Sequence, residues 1–217
     1  MVTILGVDDA GRGPVIGPLV MGGVLIDKDK EELLRDIGAK DSKMLTSFQR
    51  EDLYEGIIKI AKSFKVILYS PQQVDDAVAR HNLNWLEADA TIQMINEFKP
   101  DIAFLDCPSN NIKAYSSYIE KKVMKEVAIQ AEHKADALYP VVSAASIIAK
   151  VTRDREIEKL KKEFGVDFGS GYPSDPRTVL FLEKNYREKK YQEIIRKSWA
   201  SVKDLEERRN QKKLGEF

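Results

Sequence analysis

Asp8 and Asp9 stand side by side behind the apolar run 2–7, and Gly11-Arg12-Gly13 follows at once. Two carboxylates at the end of what reads as a buried strand are costly unless a cation neutralises them, and a hard divalent ion takes carboxylate oxygens readily. Asp106 repeats the pattern at the end of the short run 101–106, and Glu132-His133-Lys134-Ala135-Asp136 offers further acids ahead of a small-residue stretch. Open α/β sheets gather their ligand sites at strand carboxyl ends, where these acids would fall. Four carboxylates around a pair of Mg²⁺-like ions about 4 Å apart suit phosphodiester cleavage, because both the attacking and the leaving oxygen are then stabilised. Taken singly, each Asp has the alternative of being a turn former or a helix cap. Lys134 and His133 have the chemistry to serve a phosphate or leaving group, or else are a solvated lysine and a hydrogen-bonding histidine. His81 has no ligand pattern beside it and reads as a surface-loop residue.

The glycines around Arg12 let backbone approach a ligand closely, and the arginine can meet a phosphate or hydroxyl. The segment is a turn in its plainest reading, but its place directly after the acid pair favours a site. No phosphate loop of the Gly-x-x-x-x-Gly-Lys-Ser/Thr form occurs, and no Gly-x-Ser-x-Gly nucleophile elbow. Nucleotide-dependent and serine-hydrolase chemistry are both disfavoured.

These groups need elements to hold them. The runs 2–7 and 19–26 predict two adjacent buried strands, and 65–69, 101–106 and 128–132 three more. Helices are predicted over 46–64, 83–98, 110–123 and 141–164, the last small and apolar in its first half and charged in its second. Gly169-Ser170-Gly171-Tyr172-Pro173-Ser174-Asp175-Pro176 is a turn-rich break before charged helical segments. The fold class that follows is α/β, a mixed sheet flanked by helices with a C-terminal helical extension. The expected organisation is a catalytic α/β domain over 1–165, a helical substrate-binding part over 166–210 and a flexible tail over 211–217.

With 217 residues the chain can bury a sizeable core without structural metals or disulfides. Lys+Arg and Asp+Glu are both 35, so nucleic-acid affinity must come from local arrangement and not from net charge. A single cysteine, Cys107, excludes an internal disulfide and zinc-finger spacing, and with no apolar run of membrane-spanning length a soluble cytoplasmic monomer is expected.

Five blocks in series now become recognisable: Asp8 to Pro14, Lys40-Asp41-Ser42-Lys43, Glu132 to Asp136, Pro140 to Lys150, and Gly169 to Pro176. Together they resemble the type 2 ribonucleases H, in particular the archaeal ribonuclease HII group, over nearly the whole chain. The resemblance implies a ribonuclease H-like fold and Mg²⁺- or Mn²⁺-dependent hydrolysis of the RNA strand of RNA/DNA hybrids. It further implies cutting at single ribonucleotides in duplex DNA, with 5′-phosphate and 3′-hydroxyl products. The family's metal-binding acids fall on Asp8, Asp9, Asp106 and Asp136. The second is usually glutamate, and Asp9 reaches roughly 1.5 Å less far, a displacement that can cost about 10²-fold in rate. Gly11, Arg12 and Gly13 resemble the family's reader of ribose 2′-hydroxyls, the group that distinguishes RNA from DNA. Tyr172 resembles the tyrosine that stacks near the sugar at an RNA-to-DNA junction, its alternative being to pack its own turn. Lys43, Ser143 and Ser146 resemble phosphate contacts. Arg196, Lys197 and Trp199 could grip a DNA backbone or form a solvated face with one buried Trp.

The last residues, with Gln211, Leu214 and Phe217 in Gln-x-x-Leu-x-x-Phe spacing, resemble the peptide by which replication proteins dock on the sliding clamp (PCNA). The different-class alternative to an enzyme is a catalytically impaired nucleic-acid-binding protein, with Asp9 as the reason to consider it.

Overall fold

A computed structural model of the chain describes residues 1–38 and 46–214, leaving out the side chains of Ser47 and of 212–214. Its strands are β1 (Thr3–Ala10), β2 (Leu19–Asp27), β3 (Ser63–Tyr69), β4 (Ile102–Asp106) and β5 (Ala128–Glu132). Its helices are α1 (Glu31–Asp36), α2 (Ser47–Ile60), α3 (Pro71–Ala79), α4 (Leu83–Phe98), α5 (Ile112–Glu120), α6 (Ala135–Leu138), α7 (Pro140–Phe164), α8 (Pro176–Asn185) and α9 (Ala200–Leu214). The chain forms two compact units: Met1–Ala10, Val20–Leu68 and Leu83–Thr152 make the first, and Gly11–Leu19, Tyr69–Asn82 and Arg153–Phe217 the second.

The first unit is the predicted mixed sheet, in the order β3-β2-β1-β4-β5. β1 runs antiparallel to β2 and parallel to β4, and β4 parallel to β5. Successive residues of a strand face opposite sides of a sheet, and two neighbouring glycines of β2 show what covers each side. A Cβ on Gly22 would stand 2.5 Å from the Ala145 carbonyl oxygen of α7, and one on Gly23 would stand 2.6 Å from Met94 Sδ of α4. Helices therefore lie on both faces, and the small residues Ala144, Ala145 and Ala149 let α7 sit close. Gly6 has the same origin, since its Cβ would meet Val141 O at 2.2 Å. The core fills with Ile4, Val24, Ile26, Phe104, Val141, Ile147 and Ile148, closed by Leu34 of α1 and Ile57 of α2.

Several boundaries, and one helix, differ from the sequence expectation. β1 continues through Ala10 because β2 pairs with it residue by residue as far as Ala10↔Val20, so Asp8 and Asp9 lie within the strand and not after it. α2, started by a capping box between Thr46 and Gln49, ends at Ile60. The Lys62 amide then donates to Leu25 O, and β3 begins at Ser63, earlier than expected. α3 was not anticipated, although Ser70 caps it reciprocally with Gln73 and Pro71 stands in its first turn.

The second unit has its own core of Val15, Ile16, Ile157, Phe168, Phe181, Leu182, Tyr191, Ile194 and Ile195. Its two glycine-rich segments are joined directly, because the amides of Val15 and Ile16 both donate to Gly171 O, at 2.8 and 3.2 Å. Ile16 also bridges Ile195 antiparallel. α9 carries helix-favouring Lys, Glu and Arg and runs on to Leu214, so Gln211 to Leu214, given to a flexible tail by the sequence reading, are helical. Among the described residues no helix is long and apolar enough to cross a membrane.

Candidate active site

Register brings the first two acid-bearing strands level. Parallel pairing of β1 and β4 runs from Ile4↔Ile102 to Val7↔Leu105, so Asp8 and Asp106 each come one residue after the last pair on neighbouring strands. The other end of this ladder is pinned by Thr3, whose amide and hydroxyl donate to Asp101 Oδ2 at 2.8 and 2.9 Å and hold that carboxyl below its usual range. β4 and β5 end together as Asp106↔Glu132. From there Lys134, in a left-handed conformation (φ 58°), turns the chain into α6, whose first turn carries Asp136. The Ala135 amide donates to Asp106 Oδ1 at 2.8 Å, tying the turn that bears Asp136 to the strand that bears Asp106.

Asp8 is 6% exposed and Asp136 7%. The Asp8 carboxyl is pushed well above the ordinary carboxylate range, first by burial and then by the charges of Asp9 and Asp106. The Ser146 hydroxyl and the Asp9 amide, which donates to Asp8 Oδ1 at 2.7 Å, offset only part of this. A buried anion facing two more anions is what a divalent cation relieves. The donor set is all oxygen, which suits Mg²⁺ or Mn²⁺ and not a thiolate-seeking metal. Among the described residues no three His, Cys, Asp or Glu side chains already stand in metal-holding geometry, so the fit rests on the donors' chemistry and on the charge around Asp8.

Ser143 and Ser146 are 0% and 1% exposed. They lie on the small-residue part of α7 and are not offered to a phosphate at the surface. His133 is exposed, with its Nδ1 3.0 Å from Cys107 O, the hydrogen-bonding alternative. His81 is exposed in the turn after α3. Lys43, Phe217 and the Leu214 side chain lie outside the described residues, while Gln211 is exposed on α9.

In the second unit, Gly11 (φ +87°) takes a backbone conformation that side chains resist, and a Cβ there would stand 2.6 Å from Pro18 O. Gly13 is exposed, and its missing Cβ would lie 3.5 Å from Tyr172 Cε1. Tyr172 keeps 37% of its surface open. Its turn is fastened by Asp175, which caps α8 by accepting from the Arg177 amide at 2.9 Å and also accepts from the Ser170 amide at 2.8 Å. Those two amides, with Arg177, hold the Asp175 carboxyl far below its usual range.

Sequence reasoning missed Arg153. It is 5% exposed, its Nη2 donates to Ser170 O, and its guanidinium lies 4.8 Å from the Tyr172 ring centroid. Its position in the charged half of α7 gave no signal that it would be buried. Of the two readings of the 196–199 cluster, a DNA grip or a solvated face, neither fits Arg196. Arg196 is 0% exposed, because its guanidinium donates to the Gly17 and Arg12 carbonyls at 3.1 and 3.2 Å. Only Lys197 of that cluster is exposed, and its backbone amide donates to Asp75.

The family model described as Ribonuclease HII matches residues 5–202. The ribonuclease HII of Pyrococcus horikoshii is 48% identical, over 99% of this chain and 98% of its own length. The crystal structure of the ribonuclease H2 from Pyrococcus horikoshii superposes with a TM-score of 0.86 over 95% of this chain and 98% of that one, at 48% identity. The structure of the PCNA:RNase HII complex from Archaeoglobus fulgidus gives a TM-score of 0.84 over 91% of this chain and 95% of that one, at 42% identity. On this agreement along nearly its whole length, the chain belongs to the ribonuclease HII family and is a ribonuclease H, a metal-dependent endonuclease of RNA/DNA hybrids.

Proposed function

We propose that this ribonuclease acts through two Mg²⁺ or Mn²⁺ ions held by Asp8, Asp9, Asp106 and Asp136, and that it also cuts at single ribonucleotides embedded in duplex DNA. The observation that carries the metal assignment is the Asp8 carboxyl, pushed upward first by its burial and then by the neighbouring Asp9 and Asp106. When bound, the ions would stabilise negative charge on the attacking water oxygen and on the leaving 3′-oxygen; water adds to phosphorus as the P–O3′ bond breaks, so the ends are a 5′-phosphate and a 3′-hydroxyl. The protein's part is to keep the acids aligned: the Asp9 amide fixes one oxygen of Asp8, and the Ala135 amide fixes one of Asp106. Gly11, Arg12 and Gly13 read the ribose 2′-hydroxyl, and Tyr172 stacks on the adjacent sugar. Support for this comes from the neighbourhood of the exposed Gly13 and the part-exposed Tyr172: a Cβ built on Gly13 would stand 3.5 Å from a carbon of that ring. Lys43 would add a phosphate contact. A reducing, cytoplasmic setting is in keeping with the single, buried and free Cys107.

The test is a gel assay on a DNA duplex carrying one ribonucleotide, with Mg²⁺, Mn²⁺ or EDTA. A nick at the ribonucleotide with a 3′-hydroxyl on one side and a 5′-phosphate on the other, present with metal and absent with EDTA, is expected; no metal-dependent nick under any condition refutes the proposal.

We also propose that Gln211, Leu214 and Phe217 dock on the sliding clamp. The spacing supports this, as does the PCNA complex of the Archaeoglobus fulgidus relative. Deleting 211–217 should abolish clamp pull-down and leave cleavage of a short duplex intact; retained pull-down would refute it.

A further inference from the structure

We propose that Arg196 and Trp199 are positioning residues for ribose recognition, setting the peptide planes of the Gly11-Arg12-Gly13 loop so that the Gly13 amide is presented beside the Tyr172 ring. This rests on the reading of that loop and of Tyr172 given above. Two consecutive carbonyls of the loop are taken up from the C-terminal segment. Arg196 Nη1 donates to Arg12 O at 3.2 Å, and Trp199 Nε1 donates to Gly13 O at 2.9 Å.

A trans peptide is planar, with its C=O and N–H pointing in opposite directions. Fixing the Arg12 carbonyl on the buried guanidinium therefore turns the Gly13 N–H, the other half of the same peptide, away from Arg196. The next peptide precedes Pro14 and has no N–H at all, so its carbonyl only accepts, and Trp199 takes it. What remains on the exposed side of Gly13 is one donor with no side chain over it, with the edge of Tyr172 at 3.5 Å from where a Cβ would be. A donor beside a part-exposed aromatic ring matches a sugar hydroxyl next to the apolar side of its ring.

Arginine is needed here for its geometry. Its Nε donates to Gly17 O at 3.1 Å while Nη1 reaches Arg12 O, and its own amide donates to Val15 O at 2.8 Å. One rigid fork thus holds both ends of the 12–17 loop, which a single ammonium could not span. The guanidinium also lies 4.8 Å from the Trp199 ring centroid, so the two positioning side chains brace one another.

Trp199→Phe keeps an aromatic ring over Arg196 and removes only the Nε1 donor; Arg196→Lys keeps the charge and loses the fork. The readout is the ratio of affinities for a duplex with one embedded ribonucleotide and for the same duplex in all-DNA form, measured by fluorescence anisotropy with Ca²⁺ in place of the catalytic metal. Trp199→Phe should lower this ratio by about 2- to 10-fold, the worth of one hydrogen bond. Arg196→Lys should lower it further, and if that variant does not fold Trp199→Phe alone decides. A ratio unchanged in Trp199→Phe, with both affinities or the melting midpoint falling together, would show a merely structural role and overturn the inference. A wild-type ratio of one would instead overturn the proposed ribose reading on which it rests.

Discussion

The two units hold their functional groups by opposite means. In the first, carboxylates are brought together by strand register, and the arrangement strains the fold: Asp8 is buried against Asp9 and Asp106 and its ionisation is opposed. In the second, the groups we propose for substrate are a backbone amide and a ring, and the charged side chains are turned inward with acceptors provided, Arg196 to two carbonyls and Arg153 to Ser170 O. The first unit stores unfavourable charge that the proposed metal ions would relieve, and the second stores shape. Substitutions should therefore separate rate from stability in the first unit and substrate preference from rate in the second.

The largest effect is expected at Asp8. Asp8→Asn should lower cleavage by more than about 100-fold, the upper range for losing even an outer partner of a metal ligand. The same change should stabilise the metal-free protein. The sign follows from the direction of the shift: a carboxyl whose folded-state pKa is raised favours the fold while protonated, and that contribution is lost as pH rises through the raised value. At neutral pH Asp8→Asn should raise the melting midpoint by roughly 2–4 °C, as about 1 kcal/mol does in a chain of this size. The gain should shrink as the wild type is acidified through the Asp8 pKa. A lower midpoint at neutral pH in EDTA would break the first half of the comparison.

Next in size is Asp9→Glu, which should raise the Mg²⁺-supported rate by up to roughly 100-fold if one methylene of reach is what the short side chain lacks. An unchanged rate and metal preference would show that the surroundings already compensate.

The glycines sharpen the second half. Gly11→Ala must place a side chain at φ +87° with a carbonyl 2.6 Å away and should cost about 1–3 kcal/mol of stability, read by denaturant unfolding. Gly13→Ala meets only ordinary contact with Tyr172 at 3.5 Å. It should change stability by less than about 0.5 kcal/mol, yet weaken preference for the ribonucleotide duplex by crowding the amide. Equal stability losses at both positions would contradict the division between scaffold and reader in this loop.

How much of this was legible follows the same division. Strand-end acids and a small-residue helix are written as local patterns, so the acid-bearing ends of β1 and β4 and the small, apolar first half of α7 could be anticipated from composition and order. That β1 runs on through both acids could not, because it depends on pairing with β2 as far as Val20. In the second unit the glycines announced a turn, but its clamps come from residues more than 180 positions away along the chain, with Arg196 on Arg12 and Trp199 on Gly13. A buried arginine and a solvated one look alike in sequence. Both readings open to Arg196, a DNA grip or a solvated face, accordingly put it at the surface, and nothing in the sequence marks Arg153 as buried.

The division of labour is tested most directly by single-turnover cleavage of two substrates, a long RNA/DNA hybrid and a DNA duplex with one ribonucleotide, by the wild type and by Tyr172→Ala in the presence of Mg²⁺. Loss of the stacked ring should slow the single-ribonucleotide substrate by about 5- to 150-fold, as for 1–3 kcal/mol of stacking, and slow the hybrid much less. Equal slowing on both substrates would contradict the account, since the ring would then serve the chemistry itself and not the choice of substrate.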